Sequence, residues 1–446
     1  MRPRLIGNGS LAPRIPREFA ALIAALQLKG GNVEALLELT EREWKSLLQF
    51  CEPAHLTLLL SQVETYAFPL WVRERLGKNR ADAFLRFERT KTTYQEIAAA
   101  LDCAGVEHIV LKGFTQTPEF VEDARLRMQS DIDLYFPKET ISQARTVLES
   151  IGYKSDSSCA NKVADHLPVM IRRGNWQRKG NFFDPEMPLG IELHFCLWNE
   201  SVSFIPLPEV DHFWDRRVIR KLEGMSFPTL NSVDHLGYLA LHILRGLFLR
   251  DWVVHHVHEL AMFLHRHAND DEFWEEWKRS HSSALRELQC IAFFHAMAWF
   301  CCDVHEEARK TLQQISPDIQ EWLRRFTGSS LEGMFRKNLD SAWLHTALVQ
   351  TPEKKRAIKQ AFLPRQIPRI GAPAVRLKNR QQKRSRISNS YLMYIVYLTS
   401  RFAAHLSAVL ATLYRGFGWW LSPQRPRKRP GSLRFFLEYT LTIFKG

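Results

Sequence analysis

Between Val106 and Leu197 the apolar residues stop recurring at helical spacing and fall into short runs and strict alternation. That change of period places a small strand-bearing unit among helices, because a 3.6-residue stripe and a two-residue alternation suit different backbones. Val106 to Leu111 is short and apolar, Asp131 to Phe136 alternates, and Leu189 to Leu197 alternates again, each bounded by turn residues. A helix is expected over Gly113 to Glu122, between the first two strands. Pro137 then opens a second helix, Lys138 to Ile151, closed by Gly152. His166 to Arg173 is a further candidate strand, which Pro168 would confine to a sheet edge.

On both sides the helical period holds. Val33 to Leu39 reads as a short helix, and Thr40 with Glu43 fits a capping box opening the next one. Tyr94, Ile97 and Leu101 recur at helical spacing within Phe87 to Cys103. Beyond Pro208 the same period returns in Val233 to Phe248, Asp251 to His267, Glu272 to Arg279 and Ser283 to Phe300. The expected class is α+β: a small mixed sheet flanked by N-terminal and C-terminal helical segments. The expected divisions are a helical region over 1–90, the sheet unit over 91–200, a helical domain over 205–350 and an extension over 351–446.

The extension stands apart by charge. From Thr351 to Gly446 there are 20 Lys or Arg against Glu353 and Glu438, a net of +18, so the rest of the chain carries −5 of the total +13. Such a segment is attracted to phosphates, whether of nucleic acid or of an anionic membrane surface. Pro364, Pro368 and Pro373 make a poor helix, and Arg376 to Arg386 and Arg425 to Pro430 read as solvated. Ile387 to Leu413 spans 27 residues with Arg401 as its only Arg or Lys. A charge near the middle of a membrane span costs about 2.5–3.5 kcal/mol, so two packed helices, or one lying at a membrane surface, fit better than a crossing.

Chemistry concentrates in three pieces: Val110-Leu111-Lys112-Gly113, Arg127 to Leu134, and Ile191-Glu192-Leu193-His194. Strand alternation projects Asp131 and Asp133 together while Ile132 and Leu134 turn to the core. The same parity puts Glu192 and His194 on one face. Crowded carboxylates repel, and a divalent cation removes the conflict; hard oxygen ligands suit Mg²⁺ or Mn²⁺, which in turn bind phosphates. Gly113, after a strand and before the expected helix, would let backbone approach a triphosphate, and Lys112 and Arg127 can supply a cationic clamp. An Asp-x-Asp triplet alone is expected roughly once by chance in a chain this long. The order of strand, Lys-Gly, helix, Asp-x-Asp strand, helix and acidic strand is far more demanding.

On "VLKG", "RMQSDIDLYF", "LESIGYK" and "IELHF" the sequence resembles the nucleotidyltransferase superfamily of polymerase β type. Within it, the chain looks like the largely uncharacterised bacterial family NTP_transf_5. The resemblance covers residues 90 to 200 and continues weakly into "YLALHILRG". It implies a minimal mixed sheet, metal-binding catalytic acids at Asp131, Asp133 and Glu192, and nucleotide contacts from Lys112, Gly113, Arg127 and His194. It also implies an enzyme that moves NMP from NTP to an unidentified acceptor and releases pyrophosphate. Phe114 follows Gly113 where the superfamily often has Gly or Ser, so one side-chain phosphate contact is missing.

The alternative from a different class is a non-catalytic nucleotide- or nucleic-acid-binding regulatory protein that keeps the fold. Asp131 and Asp133 could also be solvent-facing residues of an edge strand, and Glu192 a residue simply facing water. His194 and His166 fit orienting or packing roles better than metal ligation. His255, His256, His258, His265 and His267 lack an H-E-x-x-H or cysteine pairing and read as structural or surface residues. Seven cysteines without a C-x-x-C pair fit a reduced chain, and Met1 to Arg17 lacks the apolar core of about 7–15 residues that a secretory signal carries. A cytoplasmic protein of bacterial type, peripheral at a membrane at most, is the expectation.

Overall fold

The computed structural model describes residues 14–156, 165–172, 174, 176–177, 182–251, 254–360, 399 and 402–417. The chain divides into two compact units, residues 15–315 and residues 1–14 with 316–446.

The first unit is built on a mixed sheet. Its strands are β1 Ile109–Leu111, β2 Asp131–Tyr135, β3 Lys154–Ser155, β4 Met170–Ile171, β5 Gly190–His194, β6 Val218–Leu222 and β7 Met225–Thr229, in the spatial order β3-β4-β5-β2-β1-β7-β6. β2 runs antiparallel to β1 and parallel to β5. Alternation decides which side each residue meets. Ile132, Leu134, Ile191 and Leu193 are fully buried in a core shared with Tyr94, Ile97 and Leu101. Those last three lie on the 34-residue helix Leu70–Cys103, about 51 Å long at 1.5 Å per residue. The helix Ile141–Ser150 adds Ile141, Ala144 and Leu148 to the same core.

Arg86, on the long helix, fixes the approach to both acidic strands. It is buried, and its guanidinium donates from Nε to Gln129 O at 2.7 Å and from one terminal nitrogen to Met187 O at 2.8 Å and Asp184 O at 3.2 Å. Burial pulls its pKa down to about 10. One side chain therefore ties the turn before β2 to the loop before β5. Arg86→Met is expected to leave these carbonyls unsatisfied and to lower stability by about 3 kcal/mol, read as the urea midpoint of unfolding; an unchanged midpoint would show that the loops hold themselves.

Several expected elements are observed at close to their expected bounds. The capping box is complete, with Thr40 N donating to Glu43 Oε2 at 2.8 Å and Glu43 N to Thr40 Oγ1 at 3.3 Å. The four later helices are Ser232–Leu249, Val254–Arg266, Asp271–Ser280 and Ser283–Phe300. Three expectations are corrected. No α-helix follows Gly113; residues 113–116 form one 3₁₀ turn, because Pro118 cannot donate the bond that would extend it. β4 is not an edge strand: it starts after Pro168, so its own amides are free to pair with β3 and β5. The hairpin β6–β7 supplies two strands inside the span 205–350 expected to be a helical domain. Its two-residue turn, Glu223-Gly224, has φ of 49° and 79°, the positive values that match strand twist.

The second unit contains the helices Pro317–Glu332, Ser341–Leu348 and Pro352–Gln360, and a helix over 402–417. Arg415 bridges Glu332 at 3.4 Å and Asp340 at 3.1 Å, and Leu339 N donates to Thr412 Oγ1 at 3.0 Å. Gly416 is required where it stands, since a Cβ would fall 2.7 Å from Trp343 Cε2. The expectations for Pro364 to Pro373, Arg376 to Arg386 and Arg425 to Pro430 lie outside the described residues. No described helix is long and apolar enough to cross a membrane.

Candidate active site

The strand register assembles the acids. Asp133 pairs with Leu111 of β1 on one side and with Glu192 of β5 on the other, and Asp131 pairs with Gly190. Gly190 is needed there, because a Cβ would lie 2.9 Å from Val169 Cγ1. Asp131, Asp133, Glu192 and His194 thus share the face of the sheet opposite the core. Ligand atoms of Asp133, Glu192 and His194 lie within 4.8 Å of one another, and Asp131 is close enough to be affected by the charges of Asp133 and Glu192.

Lys112 and His194 converge on one oxygen. Lys112 Nζ lies 3.0 Å from Asp133 Oδ1, and His194 Nε2 donates to the same atom at 2.9 Å. Lys112 reaches it from a backbone with φ 48° and ψ −162°, a conformation that costs a side-chain-bearing residue on the order of 1–3 kcal/mol. Burial opposes ionisation of Asp133, but Lys112 and the His194 hydrogen bond outweigh it and hold the carboxyl well below the usual range. Burial likewise opposes the charge on His194, yet Asp133 and Glu192 raise its pKa to about 9. Asp131 behaves oppositely: burial first, then the charges of Asp133 and Glu192, push it up to about 7 despite Lys112 and Arg127. The site therefore contains one carboxylate fixed as an anion and one in electrostatic conflict. Glu192 is more accessible than Asp133, its side chain 20% exposed against 4%.

Gly113 and Arg127 are placed otherwise than their spacing suggests. Gly113 has φ 62°, and a Cβ on it would lie 2.6 Å from Gln129 Cδ. Gln129 covers that spot, and its Nε2 donates to Asp131 O at 2.8 Å. The glycine thus allows a side chain to brace β2. Arg127 is near enough to Asp131 to act on it, yet its Nε donates to buried Glu259 at 2.7 Å. Glu259 also accepts from Gln116 at 3.1 Å and pairs with His256 at 2.9 Å. His255, His256 and Glu259 form a second cluster with metal-ligand spacing, but in it the glutamate already has these three partners.

Residues from distant segments complete the wall. Asp165 Oδ2 lies 3.8 Å from His194 Nδ1 and is ion-paired with Arg245, while His166 Nε2 lies 3.8 Å from Glu192. Tyr238 and His242 are close enough to Lys112 and Asp133 for their charges to matter. Tyr238, His242 and Arg245 sit at i, i+4 and i+7 of one helix, so helical spacing within "YLALHILRG" is the signal that could have found them. Nothing local in sequence announces Glu259 or Asp165 as neighbours.

β2 and β5 thus run parallel, with Asp-x-Asp on one strand and an acid directly opposite on the other, beside a Lys-Gly turn. A family model described as uncharacterised nucleotidyltransferase matches residues 40–303, and the chain belongs to that family. No curated protein and no solved structure matches the chain.

Proposed function

We propose that this protein transfers a nucleoside monophosphate from an NTP to an acceptor hydroxyl, with Asp131, Asp133 and Glu192 holding Mg²⁺ or Mn²⁺. One observation carries the proposal: Asp133 and Glu192 are directly opposite on parallel strands, with Asp131 on the same face. The donor set fits a hard divalent cation, since it gathers carboxylate oxygens where the charges of Asp133 and Glu192 oppose ionisation of Asp131. Such a cation, when bound, neutralises the charge of the triphosphate. Lys112 and Arg127 act on phosphate oxygens, Arg127 by exchanging Glu259 for phosphate. Gly113, through Gln129, fixes the backbone of Asp131. His194 donates to Asp133 Oδ1 and so keeps that carboxylate ionised and oriented.

Glu192, more accessible than Asp133, takes the proton of the acceptor hydroxyl as the hydroxyl oxygen bonds to the α-phosphorus. The bond from that phosphorus to the bridging oxygen breaks, and pyrophosphate leaves. Positioning and charge supply the rate. The domain reading that follows is a catalytic unit over 91–200 joined by the β6–β7 hairpin, helical regions over 1–90 and 205–350, and a basic extension over 351–446 that meets a polyanion. Incubating the full chain with each of four NTPs, Mg²⁺ and a metabolite extract tests the reaction: pyrophosphate release is expected with at least one NTP. Metal-dependent NTP binding without release would favour a non-catalytic regulatory role.

The state of Asp131 gives this reading a pH dependence. A cation binds the ionised carboxylate, so below a pKa of about 7 each binding event must displace a proton. Mn²⁺ affinity is expected to fall about tenfold per pH unit below that value and to level off above it, as read by electron paramagnetic resonance titration. An affinity independent of pH from 6 to 8 would remove Asp131 from the ligand set.

A further inference from the structure

The helix over 402–417 is apolar on two adjacent sides, and the second unit of the fold uses one of them. Ala408, Val409, Thr412 and Leu413 are buried, and Gly416 packs on Trp343. Phe402, Leu406, Leu410 and Tyr414 are instead 61%, 41%, 50% and 82% exposed. At about 100° per residue these four cover an arc of about 120° beside the buried stripe. Ala403, Ser407 and Phe417 are also exposed on or beside that arc, which carries no charge. Its one arginine, Arg415, is turned inward onto Glu332 and Asp340. A helix apolar over so much of its circumference is expected to cover the remaining side with something apolar.

The charge of the surrounding sequence indicates what. Six Lys or Arg fall within Arg376 to Arg386 and four within Arg425 to Arg429, on either side of the helix in the chain, and residues 351–446 contain only Glu353 and Glu438 as acids. An uncharged stripe with basic flanks matches the layering of an anionic bilayer, whose phosphates lie outside and acyl chains within. Arg401 and Arg415 interrupt the uncharged run, and a charge well inside a bilayer costs about 2.5–3.5 kcal/mol, so a helix lying along the surface fits this stretch better than a crossing. Nucleic acid offers phosphates but no apolar layer for Leu406 and Leu410.

We propose that the 402–417 helix docks on anionic lipid bilayers, placing Phe402, Leu406, Leu410 and Tyr414 at the headgroup–acyl boundary while the flanking Lys and Arg meet lipid phosphates. This rests on the reading of residues 351–446 as a polyanion-binding segment, and it is independent of nucleotidyl transfer. The enzyme would then act on acceptors at or near a membrane surface.

The test uses full-length protein carrying Leu410→Cys, a water-soluble maleimide with peptide mapping, and vesicles of phosphatidylcholine with or without phosphatidylserine. Labelling of position 410 is expected in lipid-free protein, with at least a tenfold slower rate on serine-containing vesicles and no change on pure phosphatidylcholine. In co-sedimentation, L406S/L410S is expected to lose at least tenfold in partitioning without a change in Tm, since both residues are exposed. Salt-sensitive vesicle binding without protection of position 410, or displacement by nucleic acid with L406S/L410S behaving as wild type, would overturn the lipid proposal and leave the polyanion reading standing. Absence of binding to any polyanion at low salt would overturn both. Resistance of position 410 to maleimide in lipid-free protein would show that the chain itself covers the stripe, and would also overturn the proposal.

Discussion

Asp131→Asn and Asp133→Asn are both expected to lower nucleotidyl transfer by about three orders of magnitude, yet to move stability in opposite directions. Loss of a metal-binding carboxylate removes several kcal/mol of charge stabilisation, and each 1.4 kcal/mol is tenfold in rate. The stability contrast comes from the neighbours. Asp133 accepts from Lys112 at 3.0 Å and His194 at 2.9 Å, so an amide there leaves a buried ammonium without its counter-charge. That is expected to cost about 3–5 kcal/mol.

Asp131 has a raised pKa, about 7 against an ordinary 3.8. A group raised in this way binds its proton more tightly when folded, so its ionisation above pH 7 works against the fold. An amide at 131 removes that opposition. For a partly exposed side chain the gain is on the order of 2 kcal/mol, about half the buried limit of 1.4 kcal/mol per pKa unit. Thermal melts at pH 8 without added metal would read it: Asp131→Asn above wild type, Asp133→Asn below. Equal melting temperatures would contradict the assigned charge states, and retained transfer in either variant would remove that residue from catalysis.

Glu192→Gln is expected to lower kcat by about 10²–10⁴, the range for losing a positioned proton acceptor. Its side chain is 20% exposed and makes its closest ion-pair contact with His194 at 3.5 Å, so the fold is expected to tolerate the amide. Because Glu192 also belongs to the ligand set, the comparison belongs at saturating Mn²⁺, where the deficit in kcat should persist and the KM for NTP should change little. A kcat within a factor of three of wild type would return Glu192 to the status of a strand residue facing solvent.

The faces of the sheet are legible in sequence because alternation encodes them directly. Ile132 and Leu134 against Asp131 and Asp133, and Ile191 and Leu193 against Glu192 and His194, need no tertiary information. The neighbouring positions show the limit of such reading. Lys-Gly suggests a phosphate-cradling helix start, but Pro118 ends the turn within a few residues and Gln129 fills the space over Gly113. Arg127 reads as a free cation, whereas Glu259, 132 positions away, already pairs with it. The β6–β7 hairpin is obscured by Arg220, Lys221 and Pro228, and the one local cue is Gly224 at its turn. Arg86 looks like any helical arginine, and only the folded chain reveals that it fastens the loops ahead of both acidic strands.

A crystal of the full-length protein soaked with Mn²⁺ and a non-hydrolysable NTP, examined by anomalous scattering, addresses the site itself. A manganese peak bounded by the carboxylates of residues 131, 133 and 192, with phosphate density on its open side, is the expected result. A peak at His255, His256 and Glu259 with none at β2 and β5, or phosphate density remote from the three acids, would contradict it.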